Sequence, residues 1–120
     1  MLCYKIIANL HKNHEKELSM NIEPEMLIGQ AQEVATILKQ LSNKYRLIIL
    51  CTLVDQELSV GELNEKLPLS QSALSQHLGK LRESNLVETR RESQTIFYRV
   101  EDKKVRALLK ALYDNYCDIS

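Results

Sequence analysis

Apolar positions along the chain fall first at helical and then at strand-like spacing. Pro24 suits the first turn of a helix, and Met26, Leu27, Ala31, Val34, Ala35, Leu38 and Leu41 follow at the interval of one helical face. Asn43 can cap a second helix in which Leu47, Leu50, Cys51 and Val54 share a stripe. Ile48 and Ile49 widen that stripe, which predicts near-complete burial. Ser59 with Glu62 has the spacing of a capping box, Val60, Leu63 and Leu67 repeat along one face, and Pro68 stops the helix because it cannot continue the hydrogen-bond ladder. Ser70 restarts the chain as the cap of a helix striped by Leu74, Leu78 and Leu81. Leu86 to Arg91 and Thr95 to Val100 then read as two strands around a Glu92-Ser93-Gln94 tip; in the second, Ile96, Tyr98 and Val100 alternate with Phe97 and Arg99. Asp102 can cap a last helix carrying Val105, Leu108, Leu109, Leu112 and Tyr116. The expected fold is mainly α with a small β-hairpin wing (α+β), a winged helix-turn-helix.

The face opposite the Leu74, Leu78 and Leu81 stripe bears Ser72, Ser75, Gln76, Gly79 and Lys80, which are short, polar and free of acid. Such a face can enter a major groove, where Gln can make paired hydrogen bonds to adenine and Ser can bond several base edges. The competing reading is an ordinary helical hairpin with a solvated polar face. The strand pair favours the first reading, because Arg90 and Arg91 beside the tip, with Arg99 on the returning strand, make a basic ribbon able to grip phosphate and fix register. The candidate DNA-binding residues are Ser70, Gln71, Ser72, Ser75, Gln76, His77, Lys80, Arg90, Arg91 and Gln94. His77 sits at the edge of the apolar stripe and reads as packing or a phosphate contact rather than a metal ligand.

Composition narrows the picture. A chain of 120 residues fits one domain, which at this size buries about two thirds of its extended surface. With 16 basic and 16 acidic residues it is no polycation, yet from His77 to Arg106 eight basic residues face five acidic ones. A local excess of that size predicts a moderate salt dependence of DNA binding. No apolar run approaches the ~20 residues a membrane span requires, and Cys3 to Leu10 lacks the features of a secretory signal, so a cytoplasmic protein with no membrane partner is expected. Residues 1–23 read as a mobile or weakly helical arm and residues 24–120 as the DNA-binding and dimerisation domain. His11 and His14 could share a helical face and hold a metal, but no carboxylate or thiol is arranged to complete the site. Met20 is a possible alternative translation start.

The stretch ELSVGELNEKLPLSQSALSQHLGKLRESNLVETRR, followed by QTIFYRV, resembles the winged helix-turn-helix core of the ArsR/SmtB repressors, over roughly Ala35 to Cys117. Within that family the LCTLV, ELSVGEL, RESQTIFY and LYDNYC segments are most similar to the branch of biofilm-growth-associated repressors and HlyU-type haemolysin regulators. The resemblance implies a bacterial, homodimeric transcription regulator that binds near-palindromic double-stranded operator DNA, pairing through its first and last helices. It also implies a redox switch. Taken alone, Cys51 and Cys117 are more often small buried hydrophobes than reactive thiols, but both match the branch's switch pair. That match implies oxidation to a disulfide, or reaction with persulfides or polysulfides to leave a sulfur bridge. Cys3 has no counterpart and is read as a bystander.

Two alternatives are weighed against this. A metal-responsive repressor of the same family would carry a CxC on the first helix of the helix-turn-helix, where this chain has Ser59 and Gly61; the last helix offers Asp114 but no histidine. A thiol oxidoreductase, from another class, would need CxxC at a helix start, which is missing. Three glycines supply neither a phosphate loop nor a nucleophile elbow. No catalytic residue, metal or cofactor is expected. A winged helix serving protein contacts alone would not need the polar face formed by Ser72, Ser75 and Gln76.

Overall fold

The computed structural model describes residues 21–117. The expectations for Cys3, His11, His14, Met20 and most of the N-terminal arm lie outside them. The elements in chain order are α1 (Pro24–Leu41), α2 (Lys44–Thr52), β1 (Leu58–Ser59), α3 (Val60–Lys66), α4 (Gln71–Glu83), β2 (Glu88–Glu92), β3 (Thr95–Arg99) and α5 (Lys103–Tyr116). The strands form one antiparallel sheet in the order β1-β3-β2.

Helix starts are set by side chains that satisfy backbone N–H groups left without partners in the first turn. Asn43 Oδ1 accepts from the amides of Tyr45 at 3.0 Å and Arg46 at 3.1 Å. Ser59 Oγ accepts from Glu62 N at 3.2 Å while Glu62 Oε1 accepts from Ser59 N at 3.0 Å, completing the capping box. Ser70 Oγ caps α4 through Ala73 N, and Asp102 Oδ1 caps α5 through Lys104 N and Val105 N. Between α3 and α4, Leu67 is extended, as a residue before proline must tend to be, and Asn64 Nδ2 donates to Leu69 O at 2.7 Å across the turn.

Ile49, Leu50 and Leu53 from α2 and its end, Leu63 of α3, Leu74, Leu78 and Leu81 of α4, and Leu109 of α5 are fully buried in one core. The helix-turn-helix is thereby seated on α2 and α5. α1 joins this body through Ile37 and Leu41, and leaves Met26, Leu27, Ile28, Val34 and Leu38 exposed.

Three expectations need correction. α2 is not buried all round: Leu47 and Cys51 are only partly covered and Ile48 is 37% exposed, because this side of the helix borders an open groove rather than the core. Leu86 and Val87 are apolar and buried, yet they precede the strand, which begins at Glu88. Leu86 instead closes α4, its amide donating to Leu81 O at 2.9 Å and that of Asn85 to Arg82 O at 3.0 Å, with Asn85 left-handed at φ 60°. This is the paired hydrogen-bond stop of a Schellman motif, and burial of Leu81 with Leu86 accompanies it. Third, Leu58 and Ser59 pair with Tyr98 and Phe97, so the wing hairpin is one part of a three-stranded sheet.

Candidate nucleic-acid interface and thiol groove

Sinking Leu74, Leu78 and Leu81 into the core turns Gln71, Ser72, Ser75, Gln76, Gly79 and Lys80 outward, all exposed, as the 3.6-residue period requires. Ser70, the cap, is exposed at the helix start. A Cβ added at Gly79 would meet nothing within 4 Å, so this glycine answers no packing demand and lowers the outer face. His77 lies half-covered at the edge, its ring centroid 6.1 Å from that of Tyr45. Burial, reinforced by the charges of Arg46 and Lys80, pushes its pKa below the ordinary histidine value. The same surroundings disfavour the charged imidazolium in the free protein.

The wing is less basic than its sequence. Successive strand residues point to opposite faces, so Arg90 and Arg91 leave the ribbon on different sides. Arg90 pairs across the sheet with Phe97, its guanidinium carbon 4.7 Å from the ring centroid. Its Nε and Nη2 both donate to Glu57 Oε1, at 3.0 and 2.7 Å, and Nη1 donates to Glu92 at 2.8 Å. Arg99 is divided between Glu57 at 3.4 Å and Glu101 at 3.0 Å. The Arg90 hydrogen bond and the nearby charges of Arg90 and Arg99 hold the Glu57 carboxyl below the usual carboxylate range; the same bond raises Arg90. Arg106 is paired with Asp55. Two carboxylates from outside the stretch His77 to Arg106 therefore offset much of its positive excess. Arg91 is exposed and makes no ion pair among the described residues, and Gln94 is exposed at the hairpin tip beside Ser93. Sequence reasoning missed Glu57 and Asn64, since pairing across 33 positions leaves no local signal for Glu57.

The two thiols border one groove. A groove of about 440 Å³ between α2 and α5 is lined by both Cys51 and Cys117, with Leu47, Ile48, Leu112 and Tyr116 among its walls. Cys51 is half-buried on α2; Cys117 is exposed at the end of α5, where its amide donates to Tyr113 O at 2.8 Å. Burial, with the negative charge of Cys117 adding to it, pushes the Cys51 thiol up. Cys51 also borders a cavity of about 490 Å³ lined by Asp55, Lys110 and Asp114. Among the described residues no three His, Cys, Asp or Glu side chains converge as metal ligands would, and no helix is long and apolar enough to cross a membrane.

The family model for bacterial regulatory proteins of the arsR family matches residues 43–89, from the cap of α2 into β2. The transcriptional activator HlyU of Vibrio cholerae serotype O1 is 50% identical over 102 residues, spanning 85% of this chain and 93% of that protein. The biofilm growth-associated repressor of Xylella fastidiosa strain Temecula1 is 51% identical over 105 residues, 84% of this chain and 92% of its own. The crystal structure of the transcriptional repressor BigR from Xylella fastidiosa superposes with a TM-score of 0.75 at 47% identity, covering 81% of this chain and 99% of that one. With about half of the aligned residues identical over nearly the full length of these regulators, and with their helix-turn-helix and wing, the chain belongs to the arsR family and is a transcriptional regulator rather than an enzyme.

Proposed function

We propose that the protein binds a near-palindromic operator as a homodimer and releases it when Cys51 and Cys117 are oxidised. In this reading Ser72, Ser75 and Gln76 read base edges, while Lys80 and the wing hold phosphates. The observation that carries the switch is the shared groove: both thiols border it, one on α2 and the other at the end of α5. A covalent link there would tie α2, on which α4 packs, to the helix expected to pair the protomers, and so alter the separation of the two recognition helices. The exposed apolar side chains of α1, with Tyr113 and Tyr116 of α5, support a dimer built on those two helices.

Exposure and thiol chemistry suggest an order of events. Cys117 is the open thiol, whereas Cys51 is half-buried and burial pushes its thiol up, so an oxidant meets Cys117 first and Cys51 resolves the product. With an organic persulfide, the Cys117 thiolate takes the terminal sulfur and expels the carrier thiolate. Cys51, losing its proton, then attacks the inner sulfur of the Cys117 persulfide, forming the disulfide and releasing hydrosulfide. Two equivalents, one on each thiol, close a trisulfide instead, again with one hydrosulfide released.

The test uses a duplex selected from a random library by the reduced protein. After treatment with glutathione persulfide, intact mass should show loss of two hydrogens or gain of bridging sulfur, in step with loss of the gel shift. Mass change at both cysteines with operator binding untouched would refute the switch.

A further inference from the structure

The wing carries two adjacent arginines whose surroundings differ completely. Arg90 has all three guanidinium nitrogens engaged, two with Glu57 and one with Glu92, and its guanidinium carbon lies 4.7 Å from the Phe97 ring centroid. Arg91 leaves the ribbon on the other face, the one bearing Ile96, Tyr98 and Leu58, and is exposed without an ion pair among the described residues. On the Arg90 face the cations Arg90 and Arg99 meet the carboxylates of Glu57, Glu92 and Glu101, so that face is net acidic. A phosphate approaching Arg90 would have to displace two carboxylates and come close to a third.

Exposed ion pairs taken singly contribute little. This one differs in geometry, since both Nε and Nη2 reach one oxygen of Glu57, the ring of Phe97 lies beside the guanidinium, and Arg99 binds the other oxygen. Glu57 stands at the end of the link from α2, immediately before β1. It thereby fastens both long strands of the wing, through Arg90 on β2 and Arg99 on β3, to the segment that enters α3.

We propose that Glu57 is a positioning residue for DNA binding: it clamps Arg90 and with it the wing, so that Arg90 gives no phosphate contact and Arg91 gives the wing's phosphate contact. This rests on the assignment of α4 and the wing to DNA. The two arginines have different tasks. Arg91 releases counterions on binding, and Arg90 holds the hairpin at the angle from which Arg91 reaches the backbone.

The experiment measures affinity for the library-selected duplex across a range of salt concentrations. Arg91→Ala should lower the slope of log affinity against log salt by about 0.9 for each protomer. Arg90→Ala should weaken binding several-fold at every salt concentration with the slope unchanged, and Glu57→Ala should do the same. The double variant should bind no worse than either single one, because both remove one interaction. Arg90→Lys keeps the charge and the fold but loses the two-nitrogen hold, so it too should weaken binding at constant slope. A slope lowered by Arg90→Ala as much as by Arg91→Ala, or full affinity in Arg90→Lys, would overturn the clamp. Gln76→Ala separates this from the underlying reading. If it relaxes specificity while Arg90→Ala takes the slope, only the clamp fails; if neither Gln76→Ala nor Arg91→Ala changes binding, DNA contact by α4 and the wing fails and the clamp fails with it.

Discussion

The rings of Tyr45 and His77 stand 6.1 Å apart, centroid to centroid and tilted by 34°, across the contact between α2 and α4. They join the helix that carries Cys51 to the helix whose outer face bears Ser72, Ser75 and Gln76. Burial at this place, with Arg46 and Lys80 nearby, disfavours the charged form of His77, and protonation is measurable.

Burial lowers the folded-state pKa of His77 below the unfolded value of about 6.5. Above that value the imidazole is neutral in both states and no stability is lost. As pH falls through it, the unfolded chain binds the proton first, so stability drops until the lower folded value is reached. The melting temperature should therefore fall more between pH 7 and pH 5 in the wild type than in His77→Gln. Parallel curves for the two proteins would mean that the ring is not held neutral by the fold.

On α4, Gln76→Ala should cost about 1–3 kcal/mol of operator affinity and relax the preference at one base position. Ser72→Ala or Ser75→Ala should relax a neighbouring position. Competition binding against duplexes substituted at each position checks this; a loss equal for all sequences would make Gln76 a backbone contact.

Within the helix-turn-helix, Leu78→Ala should destabilise by about 2–5 kcal/mol, since Leu78 is fully buried in the shared core and a cavity would remain. Ser59→Ala, which removes half of the capping box, should cost about 1 kcal/mol. Denaturant melts give both values. A Leu78→Ala cost as small as that of the cap would contradict the close packing of α4.

These features differ in how far sequence alone reveals them. Caps at Asn43, Ser59, Ser70 and Asp102 are local chemistry, so a side chain and the amides two or three residues on are enough to find them. The Leu74, Leu78 and Leu81 stripe is equally local, because helical periodicity itself turns Ser75 and Gln76 outward. What is missed depends on distance along the chain. Strand β1 has two residues, too few for alternation to register, and exists only because β3 returns to Leu58 and Ser59. The Glu57–Arg90 ion pair joins residues 33 positions apart, so no local pattern announces it. Leu86 misleads for another reason: a buried leucine after a helix serves a Schellman stop as well as a strand. The breadth of the α2 stripe also misleads, since burial and a shared groove both call for apolar residues, and only packing separates Ile49 from Ile48.

α1 supplies the test of assembly. Leu27, Val34 and Leu38 lie along one face and are 53%, 46% and 49% exposed in the single chain. Leu38→Glu should give a monomer by sedimentation velocity, with little change in the secondary structure of the fold, and operator binding should be lost with the dimer. A Leu38→Glu protein that still sediments as a dimer would move the interface elsewhere.

The central claim is that thiol state and DNA binding share one equilibrium, and the most direct measurement is the midpoint potential of the Cys51 and Cys117 pair with and without the selected duplex. If reduced protein binds and the linked form does not, DNA must stabilise the reduced form to the same extent. Each tenfold difference in affinity should then raise the midpoint of a simple disulfide couple by about 30 mV on DNA. Cys51→Ser and Cys117→Ser should each remain bound under oxidant. Identical midpoints on and off DNA, or oxidant-sensitive binding in both variants, would contradict the account.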